Sequence, residues 1–299
     1  MKTTLEKLIQ DLCLPDSYLN YIPHFFMPLA EKIKQQTFNN YIPIIGINGS
    51  QGSGKSTASR VLQEILKEKF ELDVVILSID DFYHTKAARE EIAAKVHPLF
   101  ATRGVPGTHD IQLLNSTLCK LQQGMSGCQV KIPRFDKSKD DRHLITNWEQ
   151  LLKPVNVILL EGWCVGIPPM PIEYLEHGIN QLEKEEDNNA IWRLKVNEYL
   201  ENDYQSVFSK IDWLLMLQAP GFDVVFEWRQ LQEQKLQDKL LAQGSNIHSL
   251  QIMDDKQLSR FIQFYQRLTE HALKVMPDIA NARILLDNHH HMTKLIFNE

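Results

Sequence analysis

The chain has 299 residues, 43% of them hydrophobic and 23% charged, with a formal net charge of −6. That is enough for one large domain or two small ones with a buried core, and no window of about 18 uncharged apolar residues exists that could span a membrane. The acidic balance argues against a general phosphate-backbone binder, which needs a basic face, so any anion site must be local and no nucleic-acid partner is expected.

Residues 1–40 read as helices placed ahead of the first strand and packed on the core. Leu5, Leu8, Ile9 and Leu12 share one face, Pro15 and Pro23 break the run, and Phe25, Phe26, Met27 and Leu29 read as core-facing anchors. The start alternates charge with apolar residues at helical spacing, unlike the uncharged core of a signal peptide, so a cytoplasmic protein is expected. Cys13, Cys119, Cys128 and Cys164 are scattered, which favours neither structural zinc nor a disulfide framework.

From Pro43 to Thr57 an apolar run breaks into a glycine-rich loop. Gly49, Gly54, Lys55 and Ser56 fill the G-x-x-x-x-G-K-[ST] pattern, in which small residues let backbone N–H groups turn inward around phosphate oxygens. Lys55 can then neutralise the β- and γ-phosphates of a nucleoside triphosphate, Ser56 offers a hydroxyl to Mg²⁺, and the helix opening at about Lys55 adds its positive end. Ser50, Gln51, Gly52, Ser53 and Thr57 complete the cradle.

Asp73 to Ile79 is the kind of continuous apolar run that fills a buried parallel strand, and it ends in Asp80-Asp81-Phe82-Tyr83. The ligand crevice of an open α/β sheet lies at the carboxyl ends of its strands, so these acids sit where chemistry occurs, although Asp also caps helices. Strand side chains alternate, so one acid of the pair is expected to face the γ-phosphate while the other caps or braces.

A charged helix over 86–96 leads into a turn-rich loop, His97 to Asp110, whose Arg103 either holds an anionic substrate group or pairs with a surface carboxylate. Asp110 reads as the cap of a helix from Ile111 to about Gln122. Between 131 and 142 five cations fall within twelve residues, either a solvated charge run or a clamp for phosphate or carboxylate. Val155 to Leu160 is a third buried strand, and Glu161 at its end is either the carboxylate from which Mg²⁺ and its waters are held or an edge-exposed Glu.

Residues 168–205, Pro-rich and then acidic, read as a peripheral helical insertion that says little about chemistry. Ile211 to Leu217 is a fourth strand, followed by a helix carrying Glu227, Trp228 and Arg229, the last either a lid over the phosphates or part of a surface ion pair. An amphipathic helix over 255–275 precedes a fifth strand, Ala282 to Asp287, which runs into Asn288 and His289 to His291. Consecutive histidines cannot all point at one ion, so this turn reads as a loop beside the adenine. The whole predicts an α/β three-layer sandwich with a mainly parallel five-stranded sheet and helical additions, one domain over 41–299.

Five segments carry a family resemblance: Gly49 to Ser56, Ser78 to Tyr83, Arg103 to Asp110, Pro133 to Ser138, and Leu160 to Trp163. In order and style the chain resembles the D-glycerate 3-kinase group of plants, cyanobacteria and fungi, P-loop kinases similar to uridine kinase, phosphoribulokinase and bacterial pantothenate kinase. The likeness runs from about residue 43 to the C-terminus, takes in Trp228-Arg229 with Gln232-Glu233, and weakens over 1–40 and 165–205.

The resemblance implies Asp80 as base toward an acceptor hydroxyl and Glu161 as the acid that orients Mg²⁺ through water. It places Asp81, Tyr83, Arg103, His109, Arg134, Lys137 and Arg142 on the acceptor side, Arg229 in a lid, and Asn288 and His289 beside adenine. The implied reaction is ATP-dependent phosphorylation of a small hydroxy acid, D-glycerate above others. The rival readings are a kinase for another hydroxyl metabolite (a nucleoside, pantothenate or a sugar phosphate) and an ATP-binding regulatory protein without a small acceptor.

Overall fold

The computed structural model describes residues 2–38, 41–123, 129–242 and 255–298. Two helices, α1 (Lys2–Asp11) and α2 (Met27–Gln36), precede strand β1 (Ile44–Gly49) and helix α3 (Lys55–Phe70). Then come β2 (Val74–Ser78), α4 (Lys86–Lys95) and α5 (Ile111–Gln122), followed by four short strands, β3 (Val130–Ile132), β4 (Phe135–Asp136), β5 (Asp141–Arg142) and β6 (Glu149–Leu151). The chain continues through β7 (Val157–Gly162), α6 (Gln181–Glu186), α7 (Ile191–Tyr199), α8 (Gln205–Phe208) and β8 (Trp213–Gln218). It closes with α9 (Asp223–Ala242), α10 (Asp255–Ile279), β9 (Ala282–Leu286) and β10 (Met292–Phe297).

The central sheet has six strands in the order β10-β9-β8-β1-β7-β2, parallel throughout except for β10 against β9. The sixth strand is the departure from the five-stranded expectation. Its residues are mostly exposed or half-buried, so it lacks the continuous apolar run that marks the inner strands.

Because strand side chains alternate, each inner strand feeds two cores. Ile44, Ile158, Leu160, Leu214 and Met216 face one layer, with α5, residues 182–208 and α10 packed over them. Ile45, Ile47, Val157, Leu159, Leu215 and Leu217 face the other, where α3 is joined by Leu5, Ile9, Phe26, Leu29 and Ile33 of the N-terminal helices. Residues 168–205 do more than cover the surface: Leu182, Trp192, Val196, Leu200 and Tyr204 are all buried in the first of these cores. No described helix is long and apolar enough to cross a membrane.

β1 stands between β7 and β8, and Ile47 lies in register with Glu161, itself in register with Ser78 of β2. The carboxyl ends of β1, β2 and β7 therefore open on one crevice. The cationic stretch after α5 folds into two small antiparallel pairs, β3 with β6 and β4 with β5.

Candidate active site

β1 ends at Gly49 and α3 starts at Lys55, so the loop between them lies at the amino end of a 16-residue helix. Two of its glycines need backbone that other residues rarely adopt, Gly52 at φ 79° and Gly54 at φ 89°. A Cβ on Gly52 would sit 2.8 Å from Trp228 Cβ, and one on Gly49 would sit 2.6 Å from Ser53 Oγ. The hydroxyls of Ser50 and Ser53 are buried with no hydrogen-bond partner among the described residues. Buried orphan hydroxyls cost stability, and a phosphate oxygen would satisfy them.

Lys55 Nζ donates to the Ser50 carbonyl at 2.9 Å. Burial pulls the Lys55 ammonium below its ordinary value, against the nearby carboxylates of Glu161 and Asp80. Ser56 Oγ lies 3.1 Å from Glu161 Oε1. Burial pushes the Glu161 carboxyl up, and Lys55 opposes that. A hydroxyl and a carboxylate side by side at the loop form an oxygen-only donor pair of the kind Mg²⁺ takes.

The two acids after β2 part company. Asp80 accepts from Lys137 Nζ at 2.8 Å and from the Tyr83 hydroxyl at 3.1 Å. Burial would raise its carboxyl, but Lys137, His109 and Lys55 outweigh that and hold it down to about 2. Asp81 instead braces the neighbouring segment, accepting from Arg134 Nη1 at 3.0 Å and from the Phe135 amide at 3.1 Å. The two acids lie just past β2, in the 3-10 turn Ile79–Phe82, so their divergence comes from the turn and not from strand alternation, and Asp81 is turned toward Arg134.

An ionised Asp80 has a pH consequence. A carboxyl held down in the folded protein contributes stability above its unfolded value, near 4, and loses it as pH falls toward 2. Lys137→Met removes the main counter-charge and leaves only His109 and Lys55 against burial, so an acid limb should enter the kcat–pH profile at higher pH than in the wild type, which stays flat from this group through the neutral range. A profile that does not move would show that Lys137 does not set the charge state of Asp80.

The other residues that the family resemblance sets on an acceptor side divide in the same way. Arg142 donates through Nε and Nη2 to the Tyr83 carbonyl, at 3.0 and 2.7 Å, and pairs with Asp110 at 3.2 Å. Arg134 pairs with Glu149 as well as Asp81. Arg103 pairs with Asp140 through Nη1 and keeps about a quarter of its side chain exposed. His109 is buried, its Nδ1 2.6 Å from the Tyr204 hydroxyl and its ring stacked on Tyr83 with centroids 4.3 Å apart. Burial pushes its imidazole down to about 3, so it stands as a neutral wall behind Asp80.

On the far side of the loop, Trp228 of α9 covers Gly52, stacks on His290 at 4.1 Å and donates from Nε1 to the Asn288 carbonyl at 2.9 Å. Asp287 organises the histidine turn, accepting from the amides of His289 and His291 at 2.8 Å each and pairing with the His291 ring. No group of three or more metal-ligating side chains occurs among the described residues. Arg229 lies over the Phe261 ring at 5.9 Å. Cys128 and the side chains of Gln232 and Glu233 lie outside the described residues.

Comparison with known proteins then decides the family. The model of the phosphoribulokinase/uridine kinase family matches residues 44–170. An uncharacterised kinase of Schizosaccharomyces pombe, mug58, is 36% identical over 230 residues, which cover 74% of this chain and 78% of that protein. The chain belongs to the phosphoribulokinase/uridine kinase family. The chloroplast D-glycerate 3-kinase of Arabidopsis thaliana is 32% identical over 195 residues, 62% of this chain but only 40% of the plant protein. A D-glycerate 3-kinase structure from Cryptococcus neoformans superposes with a TM-score of 0.74 at 21% identity, covering 95% of this chain and all of that one, and shows the shared fold.

As a member of this family the protein is a small-molecule P-loop kinase, an ATP-dependent phosphotransferase. The family match takes in the phosphate loop, Asp80, the 97–110 loop, the cationic hairpins and Glu161, and it stops short of α9 and the 287–291 turn. Sequence reasoning passed over Trp228 as a contact of the loop, Tyr204 behind His109, and the pair Arg89 and Asp140 beside Arg103. The Gly52 approach offers no pattern to read, because its partner is 176 positions away. Tyr204 and Arg89 carry no local signal either, lying in a helical stretch and on a charged helix.

Proposed function

We propose that the protein transfers the γ-phosphoryl group of ATP to a primary hydroxyl of a small hydroxy acid, D-glycerate being converted to 3-phosphoglycerate. The observation that carries this reading is the grouping of Asp80 with Lys55 and Glu161 at the strand ends, beside an Arg103 fork that is only partly engaged. The name of the Arabidopsis relative supports the acceptor. Phosphoryl transfer passes through a loose transition state, so alignment and charge neutralisation do most of the work.

In this reading the loop amides, the Ser50 and Ser53 hydroxyls and Lys55 hold the phosphates, with Gln51 and Thr57 completing the cradle. Ser56 and Glu161 would hold Mg²⁺, which would supply neutralisation of the phosphate charge. Asp80 accepts a hydrogen bond from the acceptor hydroxyl, orients its lone pair toward phosphorus and takes the proton late, as the new P–O bond forms and the bond to ADP breaks. Lys137 sits on a flexible stem and can pass from Asp80 to the transferring group. Trp228, His290 and Asn288 form the adenine side, and Arg229 closes over the phosphates.

Arg103 is the acceptor's cation here, because Arg134 and Arg142 are spent on Asp81, Glu149, Asp110 and the Tyr83 carbonyl. ADP release measured over a panel of D-glycerate, L-glycerate, pantothenate, uridine and sugar phosphates should depend on D-glycerate. Arg103→Ala should raise the glycerate KM by about 10- to 100-fold with a smaller change in kcat, the size of one hydrogen bond to a charged group. Turnover of pantothenate or uridine instead would move the acceptor, and ADP release without any small acceptor would move the protein to a regulatory role.

A further inference from the structure

Arg89 of α4 is a fully buried arginine. Its Nη2 donates to the Asp140 backbone carbonyl at 2.7 Å and pairs with the Asp140 carboxylate at 2.9 Å. Its Nε and Nη1 have no hydrogen-bond partner among the described residues. Asp140 occupies a left-handed position, φ 55°, in the turn between β4 and β5, and its other carboxylate oxygen pairs with Nη1 of Arg103. Both guanidiniums also lie over the Phe135 ring, at 5.8 Å for Arg89 and 5.6 Å for Arg103.

Two cations thus share one carboxylate, and the cluster carries an uncompensated positive charge. Burial would raise the Asp140 carboxyl, yet hydrogen bonds from both arginines hold it below its ordinary value, so it is ionised. A buried guanidinium with two nitrogens unpaired costs stability, so an arrangement serving stability alone would pair one cation with one anion. The two arginines also differ in access. Arg89 is sealed in, whereas Arg103 is partly exposed and lies within electrostatic reach of Lys137 and Tyr83 on the acceptor side.

We infer that Arg89 is a specificity-determining positioning residue: by taking up half of the Asp140 carboxylate, it leaves Arg103 enough positive charge to hold the carboxylate or phosphate of an anionic acceptor. The inference rests on the hydroxy-acid reading above. Without Arg89, Asp140 neutralises Arg103, and the acceptor must displace a complete ion pair.

Charge balance and packing make opposite forecasts for a second substitution. Arg89→Met should raise the D-glycerate KM about tenfold or more, with kcat and the KM for ATP changing less than about threefold, and Arg89→Lys should lie between it and the wild type. Adding Asp140→Asn to Arg89→Met removes the carboxylate that captured Arg103, and the KM should return to within about threefold of the wild type. If Arg89 merely packs, the second change deepens the defect.

An unchanged glycerate KM in Arg89→Met, or a double variant worse than the single one, overturns the inference and leaves the acceptor reading intact. Wild-type protein inactive on every hydroxy acid overturns the acceptor reading and this inference with it. Should Arg89→Met fail to fold in a thermal melt, Asp140→Asn alone decides: it should lower the glycerate KM by about two- to fivefold, and a KM that does not fall counts against the charge-sharing role.

Discussion

Asp80→Asn should lower kcat by about 10²- to 10⁴-fold, the usual size of a general-base contribution, while the KM for ATP stays within about threefold. The carboxylate lies at the carboxyl end of β2 on the crevice that also receives Lys55 and Glu161, and no amide of the phosphate loop depends on it. Asn keeps the shape and one hydrogen-bond acceptor for Tyr83 or Lys137, but it cannot take a proton. Folding should survive, since Lys137 is largely exposed and an ion pair of this kind contributes little stability. With the carboxyl at about 2, the wild type is ionised throughout the neutral range, and raising the pH will not rescue the variant. Full turnover of Asp80→Asn in an ADP-coupled assay would remove the base assignment. Asp81 could not inherit it, because its two oxygens are engaged by Arg134 and the Phe135 amide.

The phosphate-loop half of this site is legible in one stretch of sequence, and the half proposed for the acceptor is not, for a physical reason. A phosphate loop is local: strand, turn and helix follow one another, and the glycines at 52 and 54 are required by backbone geometry within that stretch. Asp80 and Glu161 are legible at one remove, because strand ends of a parallel sheet converge wherever the strands lie in the chain. The cations between 131 and 142 are different. Their number is plain in the sequence, but their roles depend on which carboxylate each one meets, and those partners, the adjacent Asp80 and Asp81, Asp110 and Glu149, come from three separate segments. The antiparallel β10 escaped for a related reason, since an edge strand has no buried run to announce it. The 168–205 stretch looked peripheral because its composition is polar. Only the fold brings Tyr204 against His109 and Tyr199 against Gly107.

Gly104→Ala should cost about 2–6 kcal/mol of stability and weaken acceptor binding at the same time. Gly104 holds φ at 144°, where a side chain is strained by about 1–3 kcal/mol. A Cβ there would lie 2.3 Å from the Tyr265 hydroxyl oxygen, 2.6 Å from Cζ and 2.8 Å from Cε1, so overpacking adds about 1–3 kcal/mol. Neither partner can move cheaply. Tyr265 is buried edge-on against Trp163 at 4.9 Å, and Trp163 Nε1 donates to the Gly104 carbonyl at 3.1 Å. The Gly104 amide in turn donates to Thr108 Oγ1 at 3.0 Å, which ties the turn to the residue before His109. Relief must therefore come from the loop itself, and Arg103 is the next residue along it. Thermal melting should show a fall of roughly 5–15 °C for a domain of this size, with a raised acceptor KM and a nearly normal KM for ATP. Tyr265→Phe in the same background removes the atom nearest the new methyl group and should recover part of the loss, although it gives up the 3.3 Å hydrogen bond to the Arg103 carbonyl. A Gly104→Ala protein with wild-type melting and wild-type acceptor KM would mean that the loop yields freely, and that Arg103 is not held in place by Tyr265 and Trp163.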